Sequence, residues 1–187
     1  MCSLSLPSEP MDLSVYERVT SNGYLGDVRG RGLDDIRALR TECQRLEANL
    51  SYLRRLVQGR LDIVADATTR ALAGQPVGGS ADLVARLPTS LGDHLVSSTS
   101  GRLTDTIGPG PDPTITVELD AICNTEQLGA LGRTAVSDLV VMRNRLIELE
   151  REVSQRRRAV FDRLDALSGE IARRYRDGET SVDTLLD

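Results

Sequence analysis

Two sets of mostly polar side chains have residue types that could do chemistry, and both sets have the same spacing. The first stripe consists of Glu47, Ser51, Arg54, Gln58 and Asp62. The second stripe, 103 positions later, consists of Glu150, Ser154, Arg157, Phe161 and Asp165. At about 100° per residue of α-helix, each set forms one stripe roughly 80° wide on a helix surface. The repeat predicts two copies of one site.

The side chains of the stripes favour binding over catalysis. Their carboxylates are acceptors that fit the paired N–H donors of a guanine Watson–Crick edge, and their arginines offer a planar fork for phosphate or for guanine O6 and N7. Serine and glutamine add neutral hydrogen bonds. Glu47 and Asp62 lie 15 residues apart, roughly 22 Å along a helix, which is too far for a catalytic carboxylate pair. The same composition is also typical of a solvated coiled-coil flank with i, i+4 pairs, so that alternative stays open here.

A heptad pattern of apolar residues predicts the helix that positions the first stripe. Its a and d positions are Ile36, Leu39, Cys43, Leu46, Leu50, Leu53, Val57, Arg60, Val64, Ala67 and Ala71. Asp34 and Asp35 suit the positive end of a helix, and Gly74 followed by Pro76 is a stop signal. The pattern predicts one helix of about 40 residues, roughly 60 Å long, which needs a partner to bury its apolar stripe.

The same seam recurs at the same offset and predicts the partner helix. Its positions are Leu139, Met142, Leu146, Leu149, Val153, Arg156, Val160, Arg163 and Leu167. This helix should end near Asp177, before Gly178. Its start stays open between a cap at Thr125 and a regular start near Thr134, because two glycines interrupt the stretch between them.

The predicted fold is therefore all-α: a long antiparallel two-helix coiled-coil hairpin with both stripes on one face. We expect a flexible N-terminal segment at 1–32 with room for a short helix, the first helix at 33–74, a mobile Gly/Pro/Ser-rich connector at 75–124, and the second helix with a short tail at 125–187. Within the connector, residues 80–87 suit one or two helical turns. Residues 114–119 alternate like a strand that has no partner strand.

Composition excludes several classes of function. The 187 residues carry a net charge of −5, which disfavours direct DNA binding. Three separate cysteines and one histidine make neither a zinc site nor a disulfide scaffold, and a hydrolase of nucleotides would need a metal-ligand cluster that this sequence lacks. No stretch approaches 18 apolar residues, and the N-terminus does not resemble a signal peptide. We expect a cytoplasmic protein without a membrane segment, a metal or an enzymatic activity.

The complete pattern E-x3-S-x2-R-x3-Q-x3-D from Glu47 to Asp62, with its flanking run from Leu50, resembles the cyclic di-GMP motif of RsiG-type anti-sigma factors. The resemblance extends over both helices, about half of the chain, and does not include the connector. It implies that the ten stripe residues bind cyclic di-GMP, two molecules of it, and that the hairpin and its nucleotide hold a WhiG-type sporulation sigma factor away from RNA polymerase.

Two departures leave alternatives open. Phe161 stands where the second copy would have Gln, so one amide contact is missing, and the ring could stack on a base or pack on the sigma factor. Arg60, Arg156 and Arg163 occupy seam positions where charge is unexpected; they either snorkel or meet acidic groups on a partner. The alternative function is a coiled-coil adaptor that binds no nucleotide.

Overall fold

A computed structural model describes residues 13–78 and 113–178. The helical turns predicted at 80–87, most of the predicted connector and the C-terminal tail lie outside these ranges. The described helices are α1 (Leu13–Thr20), α2 (Leu33–Leu72), α3 (Val117–Ile122), α4 (Thr125–Gly129) and α5 (Val136–Arg176). Short 3-10 turns occupy Val28–Gly30, Pro113–Thr116 and Leu131–Arg133. None of the described residues forms a strand.

The two long helices confirm the predicted hairpin. Helix α2 has 40 residues and α5 has 41, and they pack against each other in antiparallel directions. Both end where the glycine signals predicted: Gly74 and Gly178 follow the last helical turns with φ of +66° and +72°. A side chain is strained in this left-handed conformation, and glycine adopts it without cost.

The core lies along the predicted seam between α2 and α5. Its fully buried side chains from the two helices are Ile36, Cys43, Leu50, Leu53, Val57, Val64, Leu139, Leu146, Val153, Val160 and Leu167. At one end of the hairpin, Arg37 Nη2 donates a hydrogen bond to Tyr175 Oη at 2.7 Å. These contacts fix the register of the two helices, and the register decides which polar residues face each other.

The beginning of the second long helix agrees with the later of the two predicted starts. Regular helix begins at Val136, so the predicted boundary at residue 125 is too early. Residues 125–129 instead form α4, which is capped by Asn124 and not by Thr125. The Asn124 side chain accepts a hydrogen bond from the backbone N–H of Gln127, and the Gln127 side chain accepts one from the backbone N–H of Asn124. A Cβ at Gly132 would lie 2.8 Å from the Val77 carbonyl oxygen, so this close approach requires glycine.

The end of the predicted mobile connector is folded, which corrects the prediction for residues 113–124. Ile115, Leu119 and Cys123 are buried in the core, and the chain around them forms a 3-10 turn and α3. The alternation that suggested a strand was misleading because Ile115 and Leu119 are four residues apart and share one face of a helix. Val117 between them is exposed.

The N-terminal segment also packs on the hairpin. The predicted short helix is present as α1, and the predicted flexibility is wrong for residues 13–32, because Val19 and Tyr24 are buried in the core. Arg174 donates to the carbonyl oxygens of Val28 and Arg29, both at 3.0 Å. The segment is therefore held by side-chain hydrogen bonds as well as by burial.

The unexpected seam arginines explain how the short segments are attached. Arg60 bonds to Asp120 at 2.6 Å, Arg156 to Glu118 at 3.1 Å, and Arg163 donates to the Thr20 carbonyl oxygen at 2.8 Å. The acidic partners predicted as one option thus belong to this chain. We call the side of the hairpin under α1 and α3 the covered face.

Candidate functional site

Both stripes lie on the side of the hairpin away from the covered face. In the heptad of each helix they occupy positions e, b, e, b and f, whereas Glu42, which contacts the N-terminal segment, occupies position g on the opposite edge. We call the surface formed by positions e, b and f of α2 and α5 the motif face. Across the described part of the chain, no short segment bonds to the stripes on this face.

The stripes meet through a reciprocal network of hydrogen bonds. Arg54 Nε on α2 donates to Glu150 Oε1 at 3.0 Å and to Ser154 Oγ at 2.9 Å on α5. The reciprocal bonds run in the other direction: Arg157 Nε on α5 donates to Glu47 Oε1 at 2.9 Å and to Ser51 Oγ at 2.7 Å on α2. Each arginine therefore bonds to the glutamate and the serine in the stripe of the other helix.

Each serine also bonds to the glutamate one turn before it. Ser51 Oγ donates to Glu47 Oε1 at 2.5 Å, and Ser154 Oγ donates to Glu150 Oε1 at 2.9 Å. Because each arginine and serine contact of one stripe has its counterpart in the other, these contacts share a local two-fold axis, which passes close to the two serines. The sequence repeat thus corresponds to a symmetric arrangement of side chains in the structure.

The network orients the two arginines without using up their donors. The Nε groups of Arg54 and Arg157 are bonded, while their terminal Nη groups make no hydrogen bond with any described residue. A guanidinium has four N–H donors on these terminal groups. Both side chains are half-buried, with 36% and 33% of their surface exposed. Two oriented cationic forks are therefore available to an acceptor such as phosphate or a guanine edge.

The fourth residue of each stripe is where the two copies differ. Gln58 Nε2 donates to Glu150 Oε1 at 3.3 Å and so joins the network across the helices. Phe161 instead lies under the Arg157 guanidinium, whose central carbon is 4.6 Å from the ring centroid. This distance is typical of a cation–π contact. The departure from the pattern thus replaces a hydrogen bond to glutamate with a ring beneath the arginine.

The last residue of each stripe stays outside the network. Asp62 and Asp165 are exposed, and neither bonds to any other residue in the described ranges. Each lies eight positions beyond the arginine of its own stripe, roughly 12 Å along the helix axis. The structure therefore brings together the first four residues of each stripe and leaves the two aspartates as separate, solvated acceptors.

Buried titratable groups elsewhere are structural. Burial raises the pKa of the Cys43 and Cys123 thiols, so both are neutral and unsuited to nucleophilic chemistry. Burial, together with hydrogen bonds to Cys43 and Glu42, raises the pKa of Tyr24 far above its usual range. Tyr24 is thus a packed core residue and is not available to stack on a base.

Sequence reasoning missed the residues that hold the covered face. Glu118 and Asp120 pair with seam arginines, yet they lie in a segment that was expected to be mobile. The sequence did contain a signal for them, which is charge complementarity. Two acidic residues flank an apolar residue in this segment, and the seam of the long helices contains arginines in need of an acidic partner.

The fold and the site define a class of protein: an all-α hairpin that holds two related polar stripes on one open face, as a binding surface would. The family model described as RsiG-like matches residues 22–91 and 125–187, more than half of the chain, and the chain belongs to the RsiG-like family. Membership suggests an anti-sigma role and implies a sigma factor as partner. Members of this family are in general not enzymes. A comparison with curated proteins finds no match.

None of the helices within residues 13–78 and 113–178 is long and apolar enough to cross a membrane.

Proposed function

We propose that this protein is an anti-sigma factor that binds cyclic di-GMP on the motif face and, with the nucleotide, sequesters a WhiG-type sporulation sigma factor from RNA polymerase. The observation that carries the proposal is the reciprocal network, which aims two arginines at an open face while leaving their terminal donors unbonded. A binding surface needs such unbonded donors, whereas an ion pair that only stabilises the fold has no need of them.

The chemistry of the stripes fits guanine. The free carboxylates of Asp62 and Asp165 accept the two parallel N–H donors of the guanine Watson–Crick edge, which adenine does not present. The terminal donors of Arg54 and Arg157 bond to phosphate or to O6 and N7 of guanine. One nucleotide with two guanines and two phosphates uses both kinds of contact.

The two-fold arrangement supports a stoichiometry of two nucleotides for each hairpin. Each half-site combines Arg and Asp of one helix with Glu and Ser of the other, because the arginine bonds cross between the helices. Two half-sites related by this axis suit one molecule each, in agreement with the two molecules that the resemblance to RsiG-type anti-sigma factors implies.

Calorimetric titration of the full chain with cyclic di-GMP tests the ligand. We expect saturable binding of two molecules, and much weaker binding of cyclic di-AMP, because adenine places an acceptor where guanine has the N1–H donor. Equal binding of both dinucleotides would contradict guanine recognition by the aspartates. No binding of cyclic di-GMP, with or without the sigma factor, would refute the nucleotide-dependent function.

A second titration, of the sigma factor into the hairpin at zero and at saturating nucleotide, tests sequestration. If the ligand contributes to the interface, nucleotide and sigma factor raise each other's affinity by the same factor. A coupling of about 3 kcal/mol corresponds to roughly 150-fold, enough for a fall in nucleotide concentration to release the sigma factor. Equal sigma affinity in both titrations would exclude this mechanism even if the nucleotide binds.

One observation favours the alternative of a nucleotide-independent adaptor. Each stripe arginine already has partners inside the hairpin, so the network also serves as a lock that fixes the helix register. The adaptor predicts sigma binding that does not depend on nucleotide. The same pair of titrations therefore distinguishes the two functions.

A further inference from the structure

The charges of the stripes are too negative for the ligand that they are proposed to bind. Together the two stripes contain four carboxylates and two arginines, a net charge of −2. Cyclic di-GMP has two phosphodiester groups, so two molecules bring a charge of −4 to the same face. Like charges at close range repel, and the stripes alone would weaken the binding of an anion. Further cations are needed on the motif face.

The sequence repeat supplies candidates, since arginines recur at the same offset as the stripes. Helix α2 contains seven arginines, and five of them have an arginine 103 positions later. Three of these five pairs have roles in the structure. One belongs to the stripes, one holds the covered face through Arg60 and Arg163, and one, Arg70 with Arg173, makes ion pairs along its own helix.

Two repeated pairs remain without such a role. We call Arg40 and Arg143 the outer pair, and Arg55 and Arg158 the inner pair. All four side chains are exposed, and none has a carboxylate partner among the described residues. Arg55 donates only to the carbonyl oxygen of Ser51, one turn earlier on its own helix, at 3.3 Å.

Both pairs lie on the motif face. The outer pair occupies position e, one heptad before the stripe glutamates, and the inner pair occupies position f, directly after the stripe arginines. The register set by the cross-helix bonds puts Arg143 of α5 at the level of Asp62 of α2. By the same two-fold relation, Arg40 is level with Asp165. The inner pair lies close to the two-fold axis.

We propose that the outer and inner pairs are additional nucleotide-binding residues, which neutralise the phosphates of the bound dinucleotides. This inference rests on the proposed function. Together with the stripes, the four arginines bring the summed charge of these residues from −2 to +2. The stripe aspartates can then recognise bases while the repeated arginines offset the repulsion between carboxylate and phosphate. Because no described carboxylate competes for them, these arginines need not break an existing ion pair to bind.

Calorimetry of paired variants of the full chain with cyclic di-GMP tests the proposal. Arg40→Gln with Arg143→Gln, and separately Arg55→Gln with Arg158→Gln, each remove two charges from the face. Glutamine preserves helix propensity, and circular dichroism checks the fold. We expect each double variant to bind about tenfold more weakly at low salt. The loss should shrink as salt is raised from about 0.05 M to about 0.5 M, because exposed charges are screened.

A control variant removes the same number of charges elsewhere. Arg45→Gln with Arg145→Gln changes two exposed arginines at positions c and g, and neither has an arginine at the repeat offset. We expect its affinity to stay within about twofold of wild type, because positions c and g lie outside the motif face and exposed charges that do not contact the ligand are screened by solvent and salt. If the wild type binds and either repeated pair behaves like this control, the inference is overturned while the proposed function stands. Absence of binding by the wild type would refute the proposed function itself.

Discussion

The covered face and the motif face use the same residue type in opposite ways. On the covered face Arg60 has a side chain only 15% exposed, and it bonds to Asp120 and to the Cys123 carbonyl oxygen. On the motif face Arg54 is 36% exposed and bonds only through Nε. An arginine at a seam position thus holds a segment of chain, whereas one at position e is held in place with its terminal donors unbonded. Position in the heptad therefore separates the arginines that hold short segments from those whose terminal donors stay unbonded.

Removing both stripe arginines should produce the largest effect, and it should be on binding. Arg54→Ala with Arg157→Ala deletes two charge-assisted contacts, each worth at least about 1.4 kcal/mol or tenfold. We expect nucleotide affinity to fall by about a hundredfold if the two contributions add. Calorimetry measures the affinity, and circular dichroism should show unchanged helicity. Wild-type affinity in a folded double variant would remove the proposed binding role of this face.

The equivalent change on the covered face should affect stability instead. Arg60→Ala removes the bonds to Asp120 and to the Cys123 carbonyl and should lower the free energy of unfolding by about 1–2 kcal/mol. Urea denaturation measures this loss. Nucleotide affinity at a temperature where the variant is folded serves as the control and should not change. A large loss of affinity with normal stability would show that the two faces are not separate in function.

A pH titration should weaken an attachment on the covered face that depends on the carboxylate of Glu170. Hydrogen bonds from Arg173 and Arg174 lower the pKa of Glu170 from 4.5 to about 2. The resulting stability is fully present above about pH 4.5 and is lost as the pH falls towards 2, since the folded state then has to bind a proton against these bonds. Arg174 in turn holds the Val28 carbonyl.

Thermal melts between pH 5 and pH 2 test this dependence in the wild type and in Glu170→Gln. The variant should show a smaller fall in melting temperature over this range, because it lacks the titrating carboxylate. Identical pH profiles in the two proteins would show that Glu170 does not contribute to the loss.

The comparison of the two faces also shows how far the sequence could predict this structure. The long helices, their stops at Gly74 and Gly178 and the meeting of the stripes follow from a seam and a repeat that share one offset. Such periodic signals extend over many residues, and a single misleading position does not change them. Segments of four to eight residues give no such redundancy, and the alternation at 114–119 fits a strand as well as a helical turn.

The internal bonds of the site could not be predicted from residue types alone. The repeat indicated that the stripes share a face, but the choice of Arg54 to bond to Glu150 and Ser154 depends on the register of two long helices to within one turn. The separation of Asp62 from that network has the same origin. Side-chain contacts across an interface need the packing of the core, which the heptad alone does not specify.

The smallest predicted effect concerns Phe161, the one residue that makes the two stripes unequal. Its ring lies 4.6 Å from the Arg157 guanidinium, a contact worth about 0.5–1 kcal/mol at an exposed site. Phe161→Leu keeps an apolar side chain but loses this contact, so Arg157 should be less well oriented and nucleotide affinity should fall by about two- to fivefold. Phe161→Gln should recover most of the loss, because by the two-fold relation the introduced amide lies where it can bond to Glu47, as Gln58 does to Glu150.

Gln58→Leu is the matched change in the first stripe and should lower nucleotide affinity by a similar factor through the loss of its bond to Glu150. Calorimetry of the three variants against wild type measures these differences. If Phe161→Leu binds as tightly as wild type while Gln58→Leu does not, the ring has no part in orienting Arg157, and the second stripe depends on its arginine, serine and carboxylates alone.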